Sequence, residues 1–346
     1  MPQGCLLPAE WADQSGVMLT WPHSGSPWGE LLPDVEKVYQ TISHHVSARE
    51  LLLIVHRDAA HRRHIKRKLE EANVELSRVR FAEVPSNDSW ARDHGAITVL
   101  CDGEPRLLSF RFNGWGEKHP HDLDDLINDG IRRAGLFGEH PLDAIPLVLE
   151  GGSIDTDGQG TLLTTRHCLM TPTRNPQLSQ AGIESALREH FGVSRVLWLE
   201  HGHLAGDDTD AHIDTLARFC NPDTITYMTC EDPDDEHFTG LQAMEREIQA
   251  LRTAAGEPYK LVPLPMPAPI VDDSGQRLPA SYANFLIING AVLIPVYGDA
   301  NDTLVVERLT GAFPDHTPIA IDCRPLIHQY GSLHCITMQF PAGVLA

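Results

Sequence analysis

Val79-Arg80-Phe81-Ala82-Glu83-Val84-Pro85-Ser86-Asn87-Asp88-Ser89-Trp90-Ala91-Arg92-Asp93-His94-Gly95-Ala96-Ile97-Thr98-Val99-Leu100 sets two β-prone runs, 79–84 and 96–100, around a polar loop that closes on an acid. A helix precedes it at 58–72. Helix, strand, polar loop and strand then recur down the chain, and that recurrence decides the fold.

After a helix at 123–134 the unit returns as a strand at 145–149, a loop from Glu150 and a strand at 161–165. The third copy has a helix at 177–191, a strand at 196–199, a loop through His212 and a strand at 213–219. The fourth has a helix at 235–254, a strand at 260–264, a proline-rich loop and a strand at 282–289; a helix at 302–312, a strand at 318–322 and the Cys335 turn complete the fifth. Ahead of them lie a strand at 17–21, a helix at 33–48 with Val35, Val38, Ile42 and Val46 at helical spacing, and a buried-type strand at 51–55. Five units without a linker-like break predict one closed α/β domain over residues 1–346. The repeat is structural rather than textual, and its period exceeds that of common solenoids. Loops at equivalent places in such units converge on one end, so residues distant in sequence share a site. The run Pro263-Leu264-Pro265-Met266-Pro267-Ala268-Pro269 reads as an extended rim or lid.

Composition narrows the class. Of 346 residues 42% are hydrophobic and 22% charged, which is globular. The longest apolar run, 285–297, is interrupted and too short to span a bilayer. A net charge of −21 disfavours nucleic acid and anionic membrane as partners and suits a cationic substrate, although much of it also serves as a solubility surface. Met1-Pro2-Gln3-Gly4-Cys5 lacks the basic start and apolar stretch of a secretory signal, so a cytoplasmic protein is expected. Seven cysteines at irregular spacing predict neither a disulfide framework nor a zinc knuckle, and the six besides Cys335 are expected to pack without reacting.

Four of the five loops carry residues that catalysis uses: Trp90-Ala91-Arg92-Asp93, Leu149-Glu150-Gly151-Gly152-Ser153, Gly206-Asp207-Asp208-Thr209-Asp210-Ala211-His212-Ile213-Asp214, and Tyr330-Gly331-Ser332-Leu333-His334-Cys335. The intervals from Asp93 to Glu150 and from Glu150 to His212 each match one unit, and that from His212 to Cys335 matches two. Cysteine and histidine with supporting carboxylates form a nucleophile and base set. A thiol needs a positive neighbour to ionise, which is either His212 or the substrate itself. Three carboxylates around a thiol repel an oxyanion, but they suit a guanidinium, which is planar, always protonated and bound bidentately by carboxylates. Asp93 and Asp214 would grip it from two sides, with Glu150 binding it or orienting His212. The bland readings are an ion pair for Asp93 beside Arg92 and a turn residue for Glu150. His201, His203, Asp207, Asp208, His212 and Asp214 also invite a metal-dependent hydrolase, against which stands the lack of a helical i, i+4 ligand pair.

These four motifs, with Asn87-Asp88-Ser89 before the first, Ile336-Thr337 after the last, Pro8-Ala9-Glu10-Trp11 and Phe112-Asn113-Gly114-Trp115-Gly116, resemble agmatine deiminases and their bacterial peptidylarginine-deiminase-type relatives over nearly the whole chain. The resemblance implies a pentein-type five-bladed α/β propeller with pseudo-fivefold ββαβ-like units. It also implies cofactor-free, metal-free hydrolysis of a guanidine to a ureido product and ammonia. By that analogy Cys335 attacks the guanidinium carbon, an S-alkylthiouronium remains, and His212 activates the water that releases product. Asp93, Glu150 and Asp214 match guanidinium-binding carboxylates, while Trp90, Trp115 and Asp208 match the substrate channel. Agmatine yielding N-carbamoylputrescine, a step of putrescine and polyamine biosynthesis, is the leading substrate expectation; peptidyl-arginine, free arginine and other guanidines are the alternatives. A homodimer or larger assembly is implied as well. Two departures bear on the substrate more than on the reaction: Gln329-Tyr330-Gly331-Ser332-Leu333 is poorer in glycine than the family's Gly-Gly-Gly-Asn-Ile run, and Asp155 stands where histidine is expected.

Overall fold

The computed structural model describes residues 4 to 345; the stretch read for a leader begins in residues 1–3, outside those described. Its strands sort into five small mixed sheets. Each joins an antiparallel pair to a parallel third strand, and a helical crossover makes that parallel connection possible. The pattern is plainest where Ala217–Asn221 pairs antiparallel with Thr224–Thr229, the helix Phe238–Ala250 follows, and Lys260–Pro265 lies parallel to Thr224–Thr229. Leu286–Ile288, Ala291–Val296, the helix Asp302–Ala312 and Thr317–Asp322 repeat it. So do Ile154–Thr156, Thr161–Thr165, the helix Gln180–Phe191 and Arg195–Leu199. Ile97–Cys101, Glu104–Arg111 and Leu142–Val148 form another sheet, with Cys5–Leu6 on its edge. The last sheet is made by the two ends of the chain: Thr337–Pro341 pairs antiparallel with Gln14–Thr20, which runs parallel to Leu51–His56.

Local chemistry explains the elements. Val17, Met18, Leu19 and Leu52 to Val55 are fully buried, as central strands covered on both faces must be. The helix Leu32–Ser47 buries Val35, Val38, Ile42 and Val46 and carries proline in its first turn, where the missing N–H has no partner to lose. The Ser179 side chain accepts from Gly182 N to start Gln180–Phe191, and Gly192 ends it at φ +67°.

Neighbouring sheets touch in sequence. Ile154–Thr156 contacts Ala217–Asn221, Leu286–Ile288 contacts Gln14–Thr20, and Thr337–Pro341 contacts Ile97–Cys101. Arg218 Nη1 donates to Phe285 O at 3.0 Å, linking the sheet of Ala217–Asn221 to that of Leu286–Ile288, and Leu7 N donates to Phe191 O at 3.0 Å, linking the sheet edged by Cys5–Leu6 to the helix Gln180–Phe191 of the next unit. Among the described residues no helix is long and apolar enough to cross a membrane.

Three expectations change. The strand expected at 282–289 is the shorter Leu286–Ile288, after which Asn289-Gly290, with Gly290 at φ +69°, turns the chain into an unforeseen second strand, Ala291–Val296; the central strands Glu104–Arg111 and Thr224–Thr229 were likewise not foreseen. The proline-rich run is extended, yet its first half is an edge strand, Lys260–Pro265, where missing N–H groups cost no ladder bonds. Finally, Cys5 and Cys101 form a disulfide, contrary to the reading of seven unpaired cysteines. They stand opposite one another in antiparallel register, 96 residues apart in sequence, a pairing that spacing cannot reveal.

Candidate active site

In every sheet a functional loop precedes the first strand of the hairpin. Asp93 comes before Ile97–Cys101, Glu150 before Ile154–Thr156, His212 and Asp214 before Ala217–Asn221, and Cys335 before Thr337–Pro341. The fifth loop, before Leu286–Ile288, supplies Asn284. Topological equivalence therefore brings five loops to one place, and all of these side chains are buried.

Gly152 marks where they meet. A Cβ there would stand 2.6 Å from His212 Nδ1, 2.9 Å from Asp93 Oδ1 and 3.1 Å from Asp214 Oδ2, so only glycine leaves the space open. Asp214 Oδ2 lies 3.8 Å from Cys335 Sγ, and Asn284 Oδ1 lies 3.4 Å from it. Asn284 Oδ1 also accepts from His334 N at 2.9 Å and sits 3.3 Å from Cys335 N, fixing the turn that bears the thiol. Asp93 accepts from Gly152 N at 3.1 Å and from Trp115 Nε1 at 2.9 Å, and its Oδ1 is 3.6 Å from His212 Nδ1. That ion pair is with the imidazole; Arg92 turns instead towards Glu10, 3.7 Å away. Glu150 is held by Arg174, whose Nε lies 2.9 Å from both carboxylate oxygens, while Nη1 reaches Asp210 Oδ2 at 2.6 Å.

The electrostatics follow from burial and company. Burial raises the Cys335 thiol well above its usual range, and Asp214 and Asp93 raise it further. Burial also pushes the Asp93 carboxyl up to about 6, with Asp214 and Glu150 adding to the rise and His212 opposing it. For His212, burial pulls the imidazole down, but Asp93, Cys168 and Glu150 outweigh it and hold it well above its ordinary value. Burial pushes Asp214 up, yet the hydrogen bond and charge of His334, with His212 and Arg218, keep it below the usual carboxylate range. The chamber thus favours the protonated form of both the His212 imidazole and the Cys335 thiol and the ionised form of Asp214. Among the described residues, neither ring nitrogen of His212 nor Asp214 Oδ1 has a hydrogen-bond partner.

A pocket of about 200 Å³ opens onto the thiol, walled by Trp90 and Trp115 and lined also by Asp88, Asp208 and Tyr330. Gly331 lies flat on Trp90, since a Cβ at Gly331 would come within 2.1 Å of the ring. Asp208 Oδ2 meets His119 Nε2 at 2.9 Å, and burial raises its carboxyl; burial also pushes Asp88 up to about 6. Asp155, where the resemblance led histidine to be expected, accepts from Phe219 N at 2.6 Å and lies 3.4 Å from Arg218 Nε.

The acid and histidine cluster from 201 to 214 does not converge. His201 pairs with Glu247 at 2.5 Å, Asp207 caps its own turn, and Asp214 faces His334 at 2.7 Å. A different set, Glu150, Cys168 and His212, presents donor atoms within 4.8 Å of one another. Cys168, Arg174 and Asn284 were missed by sequence reasoning. For Asn284 a signal existed: it holds the place in the fourth unit that the acids, imidazole and thiol hold in the others.

Such a chamber draws in a planar cation and repels an anion, and with its fold it defines a hydrolase of the deiminase class, acting on a guanidine. From residue 6 to residue 341 the chain matches the Porphyromonas-type peptidyl-arginine deiminase family, and it belongs to that family. The candidate arginine deiminase from Porphyromonas gingivalis superposes with a TM-score of 0.93 at 49% identity, covering 99% of this chain and 100% of its own. The C. jejuni agmatine deiminase with substrate bound, in which serine replaces a cysteine, gives 0.90 at 36% identity over 99% of both chains. An agmatine deiminase from Stutzerimonas stutzeri is 32% identical over 98% of this chain and 96% of its own.

Proposed function

We propose that the protein converts agmatine and water to N-carbamoylputrescine and ammonia through a covalent thiouronium on Cys335. The observation that carries this is the meeting of Asp93, Asp214 and His212 at Gly152, with Cys335 Sγ 3.8 Å from Asp214. A guanidinium seated between Asp93 and Asp214 replaces the negative field that keeps the thiol protonated, so substrate binding itself lowers the thiol's proton affinity. The thiol gives its proton to solvent, to be taken back when the sulfur is expelled, and the thiolate sulfur adds to the guanidinium carbon. His212, protonated, delivers its proton to the departing nitrogen, and ammonia leaves. The imidazole then takes a proton from water as the oxygen adds, and collapse expels the sulfur and leaves the ureido group. Glu150, locked by Arg174, holds a guanidinium N–H or the imidazole.

Agmatine is favoured over arginine by the lining of the pocket. Asp88 and Asp208 suit a distal ammonium and oppose an α-carboxylate, and Trp90 and Trp115 wall the aliphatic stretch. The similarity to agmatine deiminases supports the same choice. Ammonia release from agmatine, arginine, a blocked arginine peptide and methylated arginines, compared by kcat/KM, tests it; an arginine peptide outpacing agmatine reverses the substrate, and Cys335→Ala turning over like wild type removes the nucleophile. The Glu150, Cys168 and His212 cluster supports a metal-dependent second reading, which requires activity to vanish with a chelator and return with zinc.

The same proposal covers the architecture: five sheets as blades of a pentein-type propeller forming a single domain, supported by their contacts in cyclic order. A homodimer or larger assembly remains part of it, to be read by light scattering. So does a cytoplasmic location, supported by five free cysteines; the Cys5–Cys101 pair would be reduced there, and a denaturing thiol count on protein taken from cells decides it.

A further inference from the structure

The Pro8-Ala9-Glu10-Trp11 block has no part in the chemistry described so far, yet Glu10 is a buried hub beneath it. Its Oε2 lies 2.9 Å from Arg218 Nη2, 2.8 Å from His334 Nε2 and 3.7 Å from Arg92 Nη2, while Oε1 accepts from Ile287 N at 2.8 Å. The other nitrogen of His334, Nδ1, lies 2.7 Å from Asp214 Oδ2. Glu10, His334 and Asp214 thus form an unbroken buried line from the N-terminal loop to the carboxylate beside Cys335.

A neutral imidazole offers one donor and one acceptor, and an ionised carboxylate only accepts. Two carboxylates on opposite nitrogens are both satisfied only when both nitrogens carry protons. We propose that His334 is a positioning residue, an imidazolium pinned between Glu10 and Asp214, through which Glu10 fixes the charge and aim of the Asp214 carboxylate that receives the guanidinium.

The surroundings support each part of this. Glu10 and His334 line a separate cavity of about 50 Å³ with Arg92 and Asp155, and His334 binds Asp214 directly at 2.7 Å, so they act through Asp214. Binding of Oδ2 by His334 stops the carboxylate from turning. Its Oδ1, buried and without a partner, is then held ready for a guanidinium N–H. Three carboxylates in one dry space repel one another. Arg174 balances Glu150 and His334 balances Asp214, whereas Asp93, 3.6 Å from His212 Nδ1, keeps a carboxyl that burial and its acidic neighbours push up to about 6. A structural staple would tie the same loops together but would not set the charge of Asp214.

The inference rests on the guanidine reading, and the experiment separates the two. Agmatine is titrated calorimetrically into Cys335→Ala and into Cys335→Ala with His334→Gln, and kcat, KM and the pH profile are measured for His334→Gln alone. The expected results are binding weaker by about tenfold or more, kcat/KM lower by about 100-fold chiefly through KM, and an acidic limb of kcat/KM displaced to higher pH. The titratable and charged groups facing Asp214 are His334, His212, Arg218, Cys335 and Asp93, and of these Asp93, pushed up to about 6, titrates on this limb. Glu10→Gln, which still accepts from Ile287 N, is the second variant should His334→Gln not fold, with a loss of about threefold to tenfold and the same displacement. Unchanged binding and an unmoved limb, with only a lower Tm, would overturn the assignment of His334 and leave the guanidine reading standing. If Cys335→Ala binds no guanidine at all, both fall.

Discussion

Asn284 Oδ1 stands 3.4 Å from Cys335 Sγ and 2.9 Å from His334 N, so one amide oxygen from the fourth unit fixes both the thiol and the backbone turn that presents it. Its Nδ2 reaches Asp214 O at 3.3 Å. Asn284→Ala leaves the buried Cys335 N–H unpaired, at about 1–3 kcal/mol, while His334 N keeps the Asn284 backbone oxygen at 3.1 Å, and it loosens the nucleophile. We expect kcat to fall by roughly 10- to 100-fold, with KM changed less than threefold because the carboxylates stay. Asn284→Asp adds a negative charge beside the thiol, so alkylation of Cys335 by a neutral reagent should be slower than in wild type at every pH below 9. Faster alkylation would contradict the geometry.

Asp93 sets a pH dependence whose direction is fixed. Its folded-state carboxyl is raised to about 6, so the proton leaves as pH climbs through that value and the guanidinium-binding form is present above it. In the proposed mechanism kcat/KM therefore rises from pH 5 to 7 and levels off. Trp115 Nε1 donates to Asp93 Oδ2 at 2.9 Å, and this bond favours the ionised form. Trp115→Phe keeps an aromatic wall but removes the donor, so the limb should move to higher pH. A limb that moves down, or Asp93→Asn retaining it, counts against Asp93 as its source.

Gly152 should be irreplaceable for activity while dispensable for folding. The atoms that a Cβ would meet are the ends of His212, Asp93 and Asp214, which can yield at the expense of the space where substrate sits. Gly152→Ala is expected to lower kcat/KM by about 10³-fold, and overpacking of about 1–3 kcal/mol should lower Tm by a few degrees. Gly151 is the contrast. A Cβ there meets Arg92 O at 2.2 Å, backbone that cannot move aside, so Gly151→Ala should act on stability first. Circular dichroism with active-site titration distinguishes the two.

The sequence makes the loops legible and hides what connects them. Asp93, Glu150, His212, Asp214 and Cys335 stand out because polar, chemically able residues break an otherwise apolar strand rhythm at one-unit intervals. Asn284 does not, since an amide between Ala283 and Phe285 has no distinctive chemistry until its neighbours are known. Arg174 and His334 are invisible for a related reason: their partners, Glu150 and Asp214, lie in other units. The central strand Ala291–Val296 was lost although Asn289-Gly290 marks the turn before it, because the unit read from the sequence has one strand on that side of the loop where the fold has a hairpin.

The disulfide is the clearest case of a contact that no local pattern encodes, and it yields a stability prediction independent of the chemistry. Cys5 on an edge strand closes a loop of 96 residues onto Cys101. Constraint of the unfolded chain by a loop of that size is worth about 4–5 kcal/mol in the entropic model, which for a chain of this length corresponds to a Tm change of roughly 5–15 °C. Neither cysteine borders the substrate pocket. Cys5→Ser, or reduction of the wild type, should therefore lower Tm by that amount and leave kcat/KM within about twofold at 25 °C. Reduction is the sharper arm, because it also leaves Cys335 a free thiol and cannot inactivate it by oxidation. A Tm unmoved by reductant, with seven thiols titrating in the untreated denatured protein, would mean that the pair is held as thiols and that the edge strand Cys5–Leu6 is secured by its backbone pairing alone.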